Sequence, residues 1–236
     1  MLIAGLMVGL AAYAAVSEPK LHGQRPVAPW RRLCFYAGWG IGGLALISPL
    51  CALSVSLMAA RVGQHMVLTA VAAPLIAVGF ASAAPRPFET LTAAATFAIA
   101  LWFWHSPGPY DATFASPAIY WAMHLSLFGS ALWLWRALFA ASGRRIGEAG
   151  LAAALTSLQM GLLGAILTFA ARPFFAPHLL TAAAWGLTPL ADQQLAGVIM
   201  WVPAGLVLTA AIVGGLAAAL NDAGLRQHRV TAGTTR

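Results

Sequence analysis

The chain has 236 residues, a net charge of +7, 61% hydrophobic residues and only 8% charged ones, against about 25% charged in an ordinary soluble domain. A soluble domain of this size must expose a face of most of its elements to water, so a composition this apolar excludes that class and points to a membrane protein. Nucleic acid is excluded as a partner too, because the thirteen Lys and Arg are scattered between apolar runs and form no single basic tract.

A hydrocarbon core needs about 20 apolar residues per helix, and seven stretches qualify: roughly 1–16, 33–53, 62–80, 90–105, 118–139, 150–171 and 193–220. The expected fold is therefore all-α, one polytopic helix bundle over residues 1–236, with 221–236 as a cytoplasmic tail. The opening run, MLIAGLMVGLAAYAAV, lacks a basic n-region and an A-x-A cleavage site, so it reads as a first span that is kept rather than a signal peptide. The second span holds the two cysteines, Cys34 and Cys51, seventeen residues apart. That is about 25 Å along a helix, too far to bridge or to share a metal.

The third span follows Arg61 and carries Gln64 and His65 in its first turns, and the fourth ends at His105. The stretch after it, WFWHSPGPYDATFASP at 102–117, reads as a turn whose prolines set the backbone direction and bring His105 and Asp111 over one face of the bundle. Asp111 either faces that layer or caps the turn through its own backbone. His124 lies in the second turn of the fifth span. After the sixth, residues 173–191 are apolar but broken by Pro173, Pro177, Gly186 and Pro189, the pattern of a loop or shallow interfacial hairpin rather than an eighth span. His178 in that loop reads as a surface residue. Asp192 and Gln193 open the seventh span, with Met200 two turns deeper on the same stripe.

With seven spans, eleven Lys and Arg fall on one side and only Arg61 and Arg172 on the other. By the positive-inside rule the N-terminus is outside and the C-terminus cytoplasmic. The histidines then sort by side. His22 and His228 fall in basic cytoplasmic segments, whereas His65, His105, His124 and His178 fall at or near the outer face. His65 and His124 should sit roughly 6 to 9 Å below the outer helix ends.

Ionisable groups inside a span cost free energy, so they face the bundle interior and usually serve a purpose. A single such histidine often serves as a helix–helix hydrogen-bonding residue. Two on separate helices at one depth, with thioether and carboxylate groups nearby, suit a metal. The metal candidates are His65, His124, His105, Met200 and Asp192, the last as the group that orients an imidazole through its second nitrogen. Met58 and Cys51 are weaker candidates, and Met66, Met123 and Met160 read as core filling. No phosphate-binding loop, nucleophile elbow, HExxH, CxxC or paired carboxylates occur in a usable context, so no enzyme activity is expected.

Three segments, QHMVLTAVAAPLIAVG at 64–79, WHSPGPYDATFASPAIYWAMH at 104–124 and ADQQLAGVIMWVPAG at 191–205, resemble the CtaG-type cytochrome c oxidase assembly factors, multi-span proteins of the bacterial inner membrane. The family-typical positions present are Gln64, His65, His105, Pro109, Tyr110, Asp111, His124, Asp192, Gln193, Gln194, Gly197, Met200, Trp201 and Pro203. The chain departs from the family pattern at Arg61, where many members have histidine, and at Met123, where many have an acid. The resemblance implies a non-catalytic factor that delivers copper to the oxidase copper centres or supports their maturation at the outer face. Its partners would be oxidase subunits, periplasmic copper chaperones and the bilayer. A fixed charge at Arg61 favours Cu(I) over a divalent ion. Two other classes stay open: a haem-binding electron-transfer protein with axial His65 and His124, and a metal-free scaffold for oxidase subunits. A copper permease fits less well, since the inner halves of the spans offer few polar groups.

Overall fold

Among the described residues, prolines and short polar breaks divide the apolar runs into eight α-helices. The computed structural model describes residues 28–79 and 85–234, so the expected first span at 1–16 lies outside the described residues. Helix α1 is Pro29–Ile47, α2 Pro49–Ser56, and α3 runs from Met58 to Gly79. Then come α4 (Glu89–Trp104), α5 (Pro107–Ala115), α6 (Pro117–Ala140), α7 (Ile146–Thr168) and α8 (Pro189–Thr234). Helices α1, α2, α5 and α6 place Pro at the first helical position, where its missing N–H costs nothing. Among the described residues there is no strand, as expected of an all-α chain.

Among the described residues two helices, α3 and α7, are long and apolar enough to cross a membrane, and a third crossing arises if α1 and α2, bent by 51° at their junction, are counted as one broken span. Helix α4 is apolar but shorter. The expected span at 33–53 is thus broken at Ser48–Pro49, where Ser48 caps α2 by accepting from the Leu50 N–H at 3.3 Å. Only Leu57, in extended backbone, separates α2 from α3. The stretch 102–117 is not a simple turn: Pro107 starts the nine-residue helix α5. Residues 173–188 form an irregular connection with two short 3-10 segments, in line with a loop and not an eighth span. The backbone of α8 stays helical to Thr234, through most of the expected tail.

Helices α3, α6, α4, α7 and α8 form a closed ring in that order, with α1 packed on the outside of α3. Two crossings are close enough to require glycine. A Cβ on Gly197 would lie 2.3 Å from Thr168 Oγ1 and 2.6 Å from the Gly164 carbonyl, which sets the α7–α8 approach. A Cβ on Gly38 would lie 2.8 Å from the Ala72 carbonyl, which sets the α1–α3 approach.

Helix α3 widens into a π-helix over Val67–Ala72, just after His65. The Ala73 N–H pairs with Leu68, one residue further back than in an α-helix. The same register would pair the Thr69 carbonyl with residue 74, which is proline and has no N–H. The indole N–H of Trp135 on α6 donates to that stranded carbonyl at 2.8 Å, which ties the bulge to the neighbouring helix.

Candidate functional site

His65 stands on the second turn of α3, His105 caps the C-terminus of α4, and His124 is on the second turn of α6. Three helices of the ring therefore bring their imidazoles together. The His65 ring centroid lies 5.1 Å from that of His124 and 6.0 Å from that of His105, both edge-on. All three residues are buried.

Their hydrogen bonds decide which nitrogens are free. His105 Nδ1 lies 2.8 Å from the Leu101 carbonyl and His124 Nδ1 3.0 Å from the Tyr120 carbonyl, each one turn back on its own helix. A carbonyl can only accept, so both rings carry the proton on Nδ1 and present the Nε2 lone pair. His124 Nε2 then faces Gln64 Oε1 at 3.4 Å. The amide is oriented by its other end, since Gln64 Nε2 donates to the Ala45 carbonyl at 2.8 Å. Two acceptors therefore oppose each other. Neither ring nitrogen of His65 has a hydrogen-bond partner, although both are buried. The cluster is a patch of lone pairs short of donors, which is the electrostatic form of a cation site. No three His, Cys, Asp or Glu side chains among the described residues already converge on one ion position. An ion would therefore draw the rings inward from their present positions.

His124 also lines an apolar cleft of about 730 Å³ between α1, α3 and α6, with Gly42, Ala118, Trp121 and Phe128 among its walls. The cluster thus has one side that does not face the interior of the ring.

The other expected ligands lie elsewhere. Asp192 is fully buried, and both carboxylate oxygens are occupied: they accept the backbone N–H groups of Met58 at 2.7 Å and Ala59 at 3.0 Å. It caps the N-terminus of α3 from the first turn of α8, where an anion meets the positive end of the helix dipole, and it orients no imidazole. Its neighbours act alike. Gln193 accepts from the Phe174 N–H at 2.6 Å, and Gln194 donates to the Ala170 carbonyl at 3.3 Å. The DQQ string is a clasp that fixes α8 to α3 and to the segment after α7. Met200 is buried in an apolar cluster with Met58, Met66, Met123 and Met160.

Arg61 lies one turn before His65 on α3 and is 1% exposed. Its Nε donates to the Ser54 carbonyl at 3.1 Å and its Nη1 to Thr113 Oγ1 at 2.6 Å. The guanidinium carbon sits 4.0 Å from the Phe114 ring centroid, 5.2 Å from that of Tyr110 and 5.7 Å from that of Tyr120. Such contacts are worth about 0.5 to 2 kcal/mol each and help hold a charge away from water. No carboxylate lies within salt-bridge distance of it among the described residues.

His178 is buried, not on the surface. Its Nδ1 lies 3.2 Å from the Ser56 carbonyl and must donate to it, so its Nε2 accepts from the Tyr110 hydroxyl at 2.6 Å. Burial lowers the proton affinity of His178 below the ordinary value, and burial raises the pKa of Tyr110. Asp111 does not cap α5. One of its oxygens is buried without a partner, and that burial raises its pKa. Sequence reasoning missed Gln64 as a wall of the imidazole cluster and the Tyr110–His178 bond that closes the loop over α2. The signals for the first were its adjacency to His65 and its place among the family-typical positions.

The family model described as cytochrome c oxidase caa3 assembly factor matches residues 10–221. No curated protein and no solved structure matches the chain.

Proposed function

We propose that this chain, which belongs to the cytochrome c oxidase caa3 assembly factor family, carries a copper ion transiently on His65, His105 and His124 as cargo for the oxidase. It acts without catalysing a reaction. It crosses the bacterial inner membrane seven times, with the N-terminus outside and the imidazole cluster in the outer half of the bilayer. The distribution of eleven basic residues against two supports that orientation.

The observation that carries the reading is the pair of Nδ1–H groups given to helix carbonyls by His105 and His124. A second nitrogen tied to a carbonyl is the usual way a protein aims an imidazole at a metal and raises its basicity. His65, with both nitrogens buried and unpartnered, supplies a third donor between the other two. Imidazoles suit copper, and Cu(I) accepts two or three ligands, so an ion held this way can be passed on. The clasp at Asp192 serves by fixing where α3, and hence His65, stands. The cleft beside His124 gives an oxidase subunit, or a periplasmic copper chaperone, a lateral approach to one ligand. The 5.1 Å between the His65 and His124 rings favours a small ion over haem, whose macrocycle would have to enter between them.

Untagged protein, purified in detergent and loaded anaerobically with Cu(I), should retain about one ion per chain, held by these imidazoles. The His65→Ala, His124→Ala double variant should retain none while keeping its helical signal. Equal retention by the two proteins, or none by the first, would refute the proposal.

A further inference from the structure

We infer that Arg61 is a charge filter: a fixed, uncompensated positive charge that makes the imidazole cluster accept a monovalent ion and discriminate against divalent ones. This rests on the cluster being a cation site, and it assigns a role to a group that ligation itself does not use.

Arg61 is nearly fully buried and held in place at both ends by Ser54 and Thr113. Three aromatic faces surround its guanidinium. A guanidinium remains protonated where a lysine would give up its proton, so the charge is permanent. It stands four residues before His65 on the same helix face. The Tyr120 ring, 5.7 Å from the guanidinium carbon, lies 4.3 Å from the His124 ring, so the charge stands one ring away from that imidazole as well. Among the described residues no carboxylate pairs with it. The one buried acid among the described residues, Asp192, is committed to the α3 N-terminus. Nothing in this arrangement favours a cation over a neutral occupant except the lone pairs themselves. The arrangement penalises each added unit of ion charge equally.

That last point gives a test that does not depend on the exact distance. Coulomb energy is proportional to the charge of the ion, so neutralising Arg61 must change the logarithm of the affinity twice as much for a divalent ion as for a monovalent one. With the guanidinium roughly 8 Å from the ion and an effective dielectric constant of about 20, the change is about thirty-fold for a monovalent ion and about a thousand-fold for a divalent one. Absolute preference does not serve as a readout, because imidazole and thioether chemistry already sorts metals by softness.

The experiment measures Ag(I) and Zn(II) affinities, neither ion being redox-active, on untagged full-length protein in detergent. The proteins are wild type, Arg61→Gln, Arg61→Lys and Thr113→Asp. Arg61→Gln removes the charge and keeps a donor. Thr113→Asp keeps the arginine but places a carboxylate on the Nη1 it already touches, so it tests the same point if the first variant does not fold. Both should tighten Zn(II) by about the square of the factor by which they tighten Ag(I), and Arg61→Lys should leave the ratio unchanged. Equal gains for the two ions, or no gain, would overturn the filter while leaving the cation site standing. Failure of wild type and all variants to bind either ion would overturn the site and the filter together.

Discussion

Replacing Asp192 with alanine separates the two roles a buried carboxylate can have at this place in the chain. In the structure both oxygens receive backbone N–H groups from the first residues of α3, at 2.7 and 3.0 Å, with no exposure to solvent. Alanine strands both donors. Each buried unsatisfied N–H costs about 1 to 3 kcal/mol, and loss of the anion at a partly buried helix N-terminus adds up to about 2 kcal/mol. The expected total is about 2 to 8 kcal/mol. For a chain of this length that lowers the unfolding midpoint by roughly 4 to 30 °C. The Asp192→Asn variant still accepts one N–H but turns its own amide donors toward the other, so it should fall between wild type and alanine. Thermal unfolding in detergent, followed by circular dichroism, measures the order. Any loss of metal should follow the loss of stability in both variants, because Asp192 positions α3 without touching the ion. An alanine variant that melts like wild type but no longer holds copper would refute the capping role and return Asp192 to the ligands.

Gly197→Ala should destabilise the protein by about 2 kcal/mol or more, because the Cβ would stand 2.6 Å from the Gly164 carbonyl on a backbone that cannot move aside cheaply; a melt no lower than wild type would contradict the close crossing. Trp135→Phe leaves the Thr69 carbonyl without its donor and should cost about 1 to 3 kcal/mol, with faster amide exchange in 67–74 as the local readout. His178 binds its proton less readily folded than unfolded, since burial lowers its value from the ordinary 6.5. Below that pH the unfolded chain takes up a proton that the folded chain refuses, so this contribution to stability is full above it and is lost progressively as pH falls. Melts of wild type and His178→Gln across about pH 5 to 8 should show the acid-side slope reduced in the variant; identical slopes would place the loss on other groups.

How much of this was readable in the chain depends on the range of the interaction concerned. Apolar run length located α3, α4, α6, α7 and the start of α8 to within a few residues, because burial of a long apolar stretch depends on local composition. Proline density kept 173–188 out of the helices for the same reason. Depth counting put His65 and His124 at one level, and the ring contacts follow from that together with the packing of α3 against α6. The partners of Asp192 were not legible. An acid at the start of a helix satisfies several local rules, and only the approach of the α3 N-terminus, 133 and 134 residues away in sequence, decides among them. His178 was misplaced because proline and apolar content describe the loop but not the Tyr110 that covers it. The helix at 107–115 is hard to tell from a turn in sequence, because its prolines suit a turn and a first helical turn alike.

The central claim is that three imidazoles from α3, α4 and α6 hold one ion. X-ray absorption at the copper edge on the Cu(I)-loaded, untagged protein tests it most directly. The account predicts two or three nitrogen neighbours at about 2.0 Å, with the outer-shell scattering of imidazole rings and a loss of one ring in His105→Ala. A first shell of sulfur alone, or one unchanged when His65, His105 or His124 is replaced, would contradict it.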